Sequence, residues 1–493
     1  MALTALMARN RPIRTAAALA AASLLLSLLG VVPAGAAPAP QLRLVAPTGA
    51  LTVERFPDEP LYLDLGTNVV AGRNPLDIRL TRQSYRDPIV ARQRLGKRTR
   101  TVPAGLLRGW AGFKDFLHLT LTDAAGATVV DTDQDFCPNG PSVRTRPDAP
   151  GTSPYPDWCG TSPWTLGNVL GIQAGWGSAT SGGYDGEPVD LADGTYTARI
   201  SINAAHRRFF AIPADQASVT VEVTVTTVAG EGPQLDAHRH ADAGKAPATP
   251  APKPRGVARV PAGPRPDLRA LPAWDIATIP AEAGGEGRDQ LSFSANVWNA
   301  GPSPLVVDGF RRSGTDLMDA YQYFYDAKGR QVGWAPTGTF QWDQRAGHVH
   351  WHFTDFASYR LLKANRQEAV RSGKEAFCLA PTDSIDLNVK GATWKPYSTG
   401  LGTSSCGSAN SIGIRETLDT GWGDTYSQSL PGQSFDIGDV PNGTYYIEVT
   451  ANPGGHLYER SKANNRSLRK VILGGGPGAR TVKVPPYQGL DVP

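Results

Sequence analysis

Cysteine and methionine are scarce in this 493-residue chain, at four and three residues. So small a cysteine count excludes a scaffold held together by many disulfides. Charge of one sign is lacking as well, since the formal net charge is +4 and Arg9, Arg11 and Arg14 near the N-terminus supply three of those units. The rest is close to neutral, which names no nucleic-acid partner. A local basic run, RQRLGKRTR at 92–100, reads as a solvated loop or strand edge. Long apolar runs are absent except for Thr15 to Val32, so no later segment is long enough to span a bilayer. Amphipathic helices are few, and neither a nucleophile motif nor a long zinc-protease helix motif appears, which argues against hydrolases.

What is present begins with a leader. Residues 1–36 join a basic opening to the apolar run and to a small-residue step at Ala34-Gly35-Ala36. This predicts a cleaved secretory signal and a soluble, secreted chain with no transmembrane helix after its removal. In an oxidising compartment, Cys137, Cys159, Cys378 and Cys406 are expected to form two disulfides. The stretch 230–272, rich in Pro, Ala and charge, reads as a semi-rigid linker, and its His238 and His240 as solvated.

The sequence repeats itself weakly on either side of that stretch. LGTNVVAGRNPLDI (65–78) resembles SANVWNAGPSPLVV (294–307), and FKDF (113–116) matches FTDF (353–356). A Phe-Cys pair follows each roughly twenty residues later, at Cys137 and Cys378. Cys159 and Cys406 then precede Gly-Trp-Gly at nearly equal distance, and LADGTYTARISIN (191–203) matches VPNGTYYIEVTAN (440–452). The correspondence pairs Cys137 with Cys159 and Cys378 with Cys406. Short alternating segments separated by Gly, Pro, Asn and Asp predict an all-β chain of two β-sandwich-like domains in tandem, at 41–229 and 273–475, with a tail at 476–493.

The second copy carries the chemistry. In GHVHWHFTDF, His348, His350 and His352 alternate, so on a strand their imidazoles share one face and form a metal-binding surface. Imidazole suits copper, zinc, nickel and iron, and copper binds such sites most tightly among divalent first-row ions. Aligning FKDF with FTDF sets Arg108, Trp110 and Gly112 opposite the three histidines, so the frame repeats without the metal face.

HVHWH, DF...Y.LL.AN (355–365), GKEAFCL (373–379), GDTYSQSLPGQSFDIGDVPNGTYYIEVTANP (423–453) and ERSKANN (459–465) together resemble the lysyl oxidase catalytic domain. The resemblance implies a copper amine oxidase with lysine tyrosylquinone, formed here from Lys374 and Tyr426, with Asp424 as the candidate base. It also implies oxidative deamination of a primary amine or protein lysine by dioxygen, giving an aldehyde, hydrogen peroxide and ammonia. In the first copy Thr180 falls opposite Tyr426, Ser178 opposite Asp424, and the counterpart of Lys374 near Asp133, so the cofactor pair is missing there too. Asp355 and Asp436 match Asp115 and Asp190 in the first copy and are read as structural. Gly347 and Gly432 occupy cysteine positions of animal lysyl oxidases, so no particular matrix protein is implied as substrate.

Two other readings stand beside this one. A copper-binding extracellular scaffold or adhesion protein would keep the histidine face and form no quinone. The first copy would instead bind an extracellular or cell-wall polymer if Trp158, Trp164 and Trp176 were displayed on its surface.

Overall fold

The computed structural model describes residues 42–57, 59–181, 188–229, 253–281, 287–326, 329–344, 349–354, 356–372, 377–402, 404–430 and 432–487. Strands take 48% of the described residues, and among these α-helix is confined to Ala204–Phe210, as an all-β reading requires. No helix of the described residues is long and apolar enough to cross a membrane. The strands arise where apolar and polar residues alternate. Leu76–Thr81 buries Leu76, Ile78 and Leu80, and Gly194–Ile202 buries Tyr196, Ala198, Ile200 and Ile202.

Three sheets form on each side of the stretch read as linker. In the N-terminal half, one orders Leu42–Val45, Asn68–Ala71, Trp176–Ala179 and Ser142–Arg144. A second orders Gly167–Ile172, Leu76–Thr81, Val90–Leu95 and Arg98–Thr101. The third orders Ala50–Arg55, Ser218–Thr227, Gly194–Ile202, Phe113–Thr122 and Thr128–Phe136. The C-terminal half follows the same scheme. Its first sheet has six strands, Leu268–Ala270, Gln290–Asn299, Trp422–Tyr426 and Asp383–Ser384 in order, with Trp274–Ile279 and Ser434–Asp436 also paired to Gln290–Asn299. The second runs Gly413–Leu418, Leu305–Arg311, Leu317–Tyr325, Gln331–Asp343 and His350–Phe353. Glu368–Arg371, Ala357–Lys363, Gly443–Ala451, Arg466–Gly476 and Ala479–Lys483 make the third. The second sheet has one strand more than its N-terminal counterpart, and that extra edge strand is the one bearing His350 and His352.

Two strands fall inside the stretches read as linker and tail. Leu268–Ala270 pairs with Gln290–Asn299 although it lies within 230–272, because Leu268, Ala270 and Leu271 are buried. Ala479–Lys483 pairs with Arg466–Gly476 although it lies within 476–493. Both are too short, or too polar on one face, to register as periodic. Residues 1–41 and 230–252, with the stretch read as a leader, His238 and His240, lie outside the described residues.

The two halves are joined by main chain as well as side chains. Leu166 N–H donates to Ile385 O at 2.7 Å, Leu387 N–H donates to Gly167 O at 3.0 Å, and Gly167 bridges Asp386 in parallel. A side chain at Gly167 would collide with Asn388 and Asp386, so the approach requires glycine. Trp164 is fully buried with Leu271, Trp274, Trp298 and Ile385, and its ring meets Tyr85 at 5.1 Å and Tyr487 at 5.2 Å, edge to face. Trp158 donates through Nε1 to Thr382 O at 3.0 Å. These two tryptophans are therefore packed against the C-terminal half and are not displayed for a polymer. Trp176 is half-buried and donates to Pro150 O at 2.9 Å.

Candidate metal and tyrosine site

His350–Phe353 lies antiparallel to the end of Gln331–Asp343, with His350 opposite Asp343 and His352 opposite Gln341. Trp351 and Phe353 are fully buried and anchor the strand, Trp351 against Trp342 at 5.6 Å and Phe353 against Phe340 at 5.3 Å. The alternation turns His350 and His352 to the other face, where their Nε2 atoms lie 2.8 Å apart. Two imidazole nitrogens held at right angles about 2.0 Å from one ion, the zinc–imidazole distance, are separated by about 2.8 Å. The pair therefore fits a shared first-row metal. Asp343 Oδ2 lies 3.4 Å from His352 Nδ1, the outer-carboxylate arrangement that turns the opposite ring nitrogen toward a metal. His348, the remaining histidine of the alternation, lies outside the described residues.

The free edge of this strand is held by the second disulfide. The bridges are Cys137–Cys159 and Cys378–Cys406, the pairing the repeat predicts. Trp351 N–H donates to Cys406 O at 2.8 Å, while Phe353 and Phe377 exchange hydrogen bonds at 2.7 and 3.0 Å. Cys378 follows Phe377, so both sulfurs sit beside the histidine strand. Glu416 places a ligand atom within 4.8 Å of each, but the sulfurs are bonded to one another and form no thiolate metal site.

Tyr426 reaches the same segment from the neighbouring sheet. It ends Trp422–Tyr426, is 8% exposed, and donates its phenol O–H to Cys378 O at 2.9 Å. Its ring meets Phe377 edge to face at 4.9 Å. The path from histidine strand to tyrosine is therefore Phe353, Phe377 and Cys378, with one main-chain exchange and one phenol hydrogen bond. Asp424 is buried and shares a strand face with Tyr426 by the two-residue alternation. Burial, then Asp424, Glu416 and Tyr359, hold the Tyr426 phenol well above the ordinary tyrosine range. Burial likewise pushes the Glu416 carboxyl far up, opposed by a hydrogen bond from Leu379 N–H at 3.0 Å. Sequence reasoning missed Glu416, whose one signal is a carboxylate in a strand otherwise fit for burial.

Lys374 and Asp355 lie outside the described residues. The described residues flanking Lys374 both approach the tyrosine segment: Ser372 donates to Gly432 O at 3.2 Å, and Phe377 packs on Tyr426. Asp436 accepts from Gly438 N–H at 2.9 Å, and Asp115 has a left-handed backbone with φ of 46°. The N-terminal positions aligned with the histidines differ in backbone as well as in side chain. Arg108 N–H donates to Gly112 O at 3.0 Å around a single 3-10 turn, Gly109–Ala111. Thr180 bonds Thr67 through both hydroxyls at 2.5 Å, Ser178 is fully buried, and Asp133 bonds His118 Nδ1 at 2.9 Å.

Residues 327–476 match the family model described as lysyl oxidase, while the N-terminal part has no family assignment. The chain is 33% identical over 128 residues to protein-lysine 6-oxidase of Homo sapiens, covering 26% of this chain and 27% of that protein. It is 32% identical over 129 residues to lysyl oxidase homolog 3B of Danio rerio, covering 26% of this chain and 14% of the relative. Against protein-lysine 6-oxidase of Sus scrofa it is 32% identical over 128 residues, or 45% of that protein. The chain thus spans less than half the length of each of these relatives.

Proposed function

We propose, from the lysyl oxidase domain at 327–476, that this chain is a secreted copper-dependent amine oxidase acting on primary amines, peptidyl lysine among them. The observation that carries the proposal is the pair of Nε2 atoms 2.8 Å apart on a strand whose next neighbour, Phe377-Cys378, receives the ring and phenol of Tyr426. His348, His350 and His352 would hold copper, and Lys374 and Tyr426 would supply the lysine tyrosylquinone. The overall conversion takes amine, dioxygen and water to aldehyde, hydrogen peroxide and ammonia. Copper and quinone together supply an electrophilic carbonyl and a route for two electrons to dioxygen.

The chain's own residues do the rest. Asp424, on the strand face of Tyr426, takes the proton lost from the carbon bearing the amine. Burial of Tyr426, Asp424 and Glu416 keeps bulk water from the reacting ring and strengthens each charge there. Phe377 fixes the plane of the Tyr426 ring, and Cys378 fixes the direction of its phenol. The N-terminal half is a degenerate copy of the domain, a proposal supported by the repeated sheet order without the histidine edge strand. Two disulfides and the leader at residues 1–36 fit an extracellular setting.

The test is the visible spectrum of the copper-loaded protein under air, with and without phenylhydrazine, beside Lys374→Ala and Tyr426→Phe. A hydrazine-sensitive band lost in both variants, with a mass-detected cross-link between the two residues, establishes the oxidase. Bound copper without band or cross-link makes the chain a copper-binding scaffold instead.

A further inference from the structure

The polar contacts behind Tyr426 are not contained in the half that bears it. Thr425 lies between Asp424 and Tyr426, so the strand alternation turns its side chain to the opposite face. Its amide N–H donates to Thr382 Oγ1 at 2.7 Å and its hydroxyl to Asp383 Oδ2 at 2.5 Å. Thr382 and Asp383 are in turn held from the N-terminal half. Trp158 Nε1–H donates to Thr382 O at 3.0 Å, and Thr161 Oγ1–H donates to Asp383 Oδ1 at 3.1 Å. The Trp158 ring also packs edge to face on Trp422, the first residue of the tyrosine strand, at 5.3 Å.

The supporting strand Asp383–Ser384 is two residues long, too short to fix a register by itself. Its continuation is held by the N-terminal half, through Thr165 Oγ1–H to Ser384 O at 2.9 Å and Leu166 N–H to Ile385 O at 2.7 Å. Trp158 is fixed from behind, since Asn139 Nδ2 donates to its carbonyl at 3.2 Å and the adjacent Cys159 is bridged to Cys137. Asp383 is thus a two-sided carboxylate: one oxygen accepts from the N-terminal half, the other from the residue between Asp424 and Tyr426.

We propose that Trp158 and Thr161 are positioning residues for Asp424 and Tyr426, so that the half without a histidine face completes the support of the tyrosine strand. The catalytic side of this inference rests on the amine oxidase proposed above; the structural side does not. Loss of supporting contacts one shell behind a functional group commonly costs 10–100-fold in affinity or rate, because the group is left slightly misplaced.

The experiment uses full-length protein carrying Thr161→Val, Thr161→Ser, Trp158→Phe or Gly167→Val. Amide hydrogen exchange across 419–426 is followed without metal, and kcat and KM for amine-dependent peroxide release with copper. Thr161→Val and Trp158→Phe are expected to speed exchange at Thr425 and to lower kcat about tenfold, with KM within about twofold. Thr161→Ser restores both, and Gly167→Val, which wedges the halves apart, exceeds either. Unchanged exchange at Thr425 in Thr161→Val and Trp158→Phe overturns the proposal, whatever Gly167→Val does to the melting temperature. If the wild-type protein releases no peroxide, the amine oxidase fails, while the exchange measurement still decides the positioning role.

Discussion

The Tyr426 phenol donates to the carbonyl oxygen of Cys378 at 2.9 Å, tying the tyrosine to the half-cystine whose partner, Cys406, accepts from the backbone of Trp351 between the two histidines. One covalent bridge thus bears on both parts of the candidate centre. Cys378→Ser paired with Cys406→Ser opens a link of sequence separation 28, worth roughly 3.5 kcal/mol on the loop-entropy relation. The double variant is expected to melt lower and to bind copper more weakly, as checked by calorimetric melting and a chelator-competition titration. Copper affinity equal to wild type would separate the bridge from the metal face.

Replacing His350 or His352 with alanine is expected to abolish stoichiometric copper binding, since each supplies one of the two facing nitrogens. Asp343→Asn keeps both ligands and is expected to weaken copper by about 10–100-fold. Equilibrium dialysis measures both. A full copper complement in His352→Ala would rule out this strand as the metal face.

Tyr426→Phe keeps the ring against Phe377 and removes only the phenol. Leaving Cys378 O without that donor is expected to cost about 1–3 kcal/mol, with the fold intact by circular dichroism. Its melting temperature should therefore fall modestly while any hydrazine-sensitive band disappears completely.

Glu416 gives a pH dependence. Burial raises its folded-state carboxyl above the ordinary glutamate value of 4.5, so the folded protein holds a proton that the unfolded chain releases. Stability therefore falls as pH rises from that value toward the folded one. Glu416→Gln keeps an acceptor for Leu379 N–H and removes the titration, so its melting temperature relative to wild type should be higher at pH 7 than at pH 4. A difference that is the same at both values would show that folding leaves the Glu416 carboxyl where the unfolded chain has it.

Trp164→Ala tests the joint between the halves. Deleting a fully buried indole packed on Tyr85 and Tyr487 is expected to cost about 3–5 kcal/mol. Two separated transitions in the variant's thermal melt, against one in wild type, would show that the halves fold as one unit through this ring.

Much of this was legible in the sequence because it is local. Alternation exposes strands such as Gly194–Ile202 and Gly443–Ala451, and HVHWH shows a histidine face within five residues. The disulfide pairing was legible because the repeat sets the cysteines in corresponding places. The joint between the halves was not. Trp158 meets Thr382 across 224 residues and Thr161 meets Asp383 across 222, and no periodicity marks a contact of that span. Asp383–Ser384 has no pattern at all, being two residues long. Glu416 was not legible because its burial, beside Asp424 and Tyr426 of another strand, is set by tertiary packing that no local pattern marks.

The main-chain joint at Gly167 also sets an order of assembly. Thr165 and Ser384 are 219 residues apart, and pairings of such separation form slowly because the intervening chain must be closed into a loop first. A chain made from its N-terminus presents the edge at 165–167 before residues 384–387 exist. The earlier half then serves as a template on which the strand supporting Tyr426 is laid down, and a defect in the N-terminal sheets would surface as misfolding of a segment more than two hundred residues downstream.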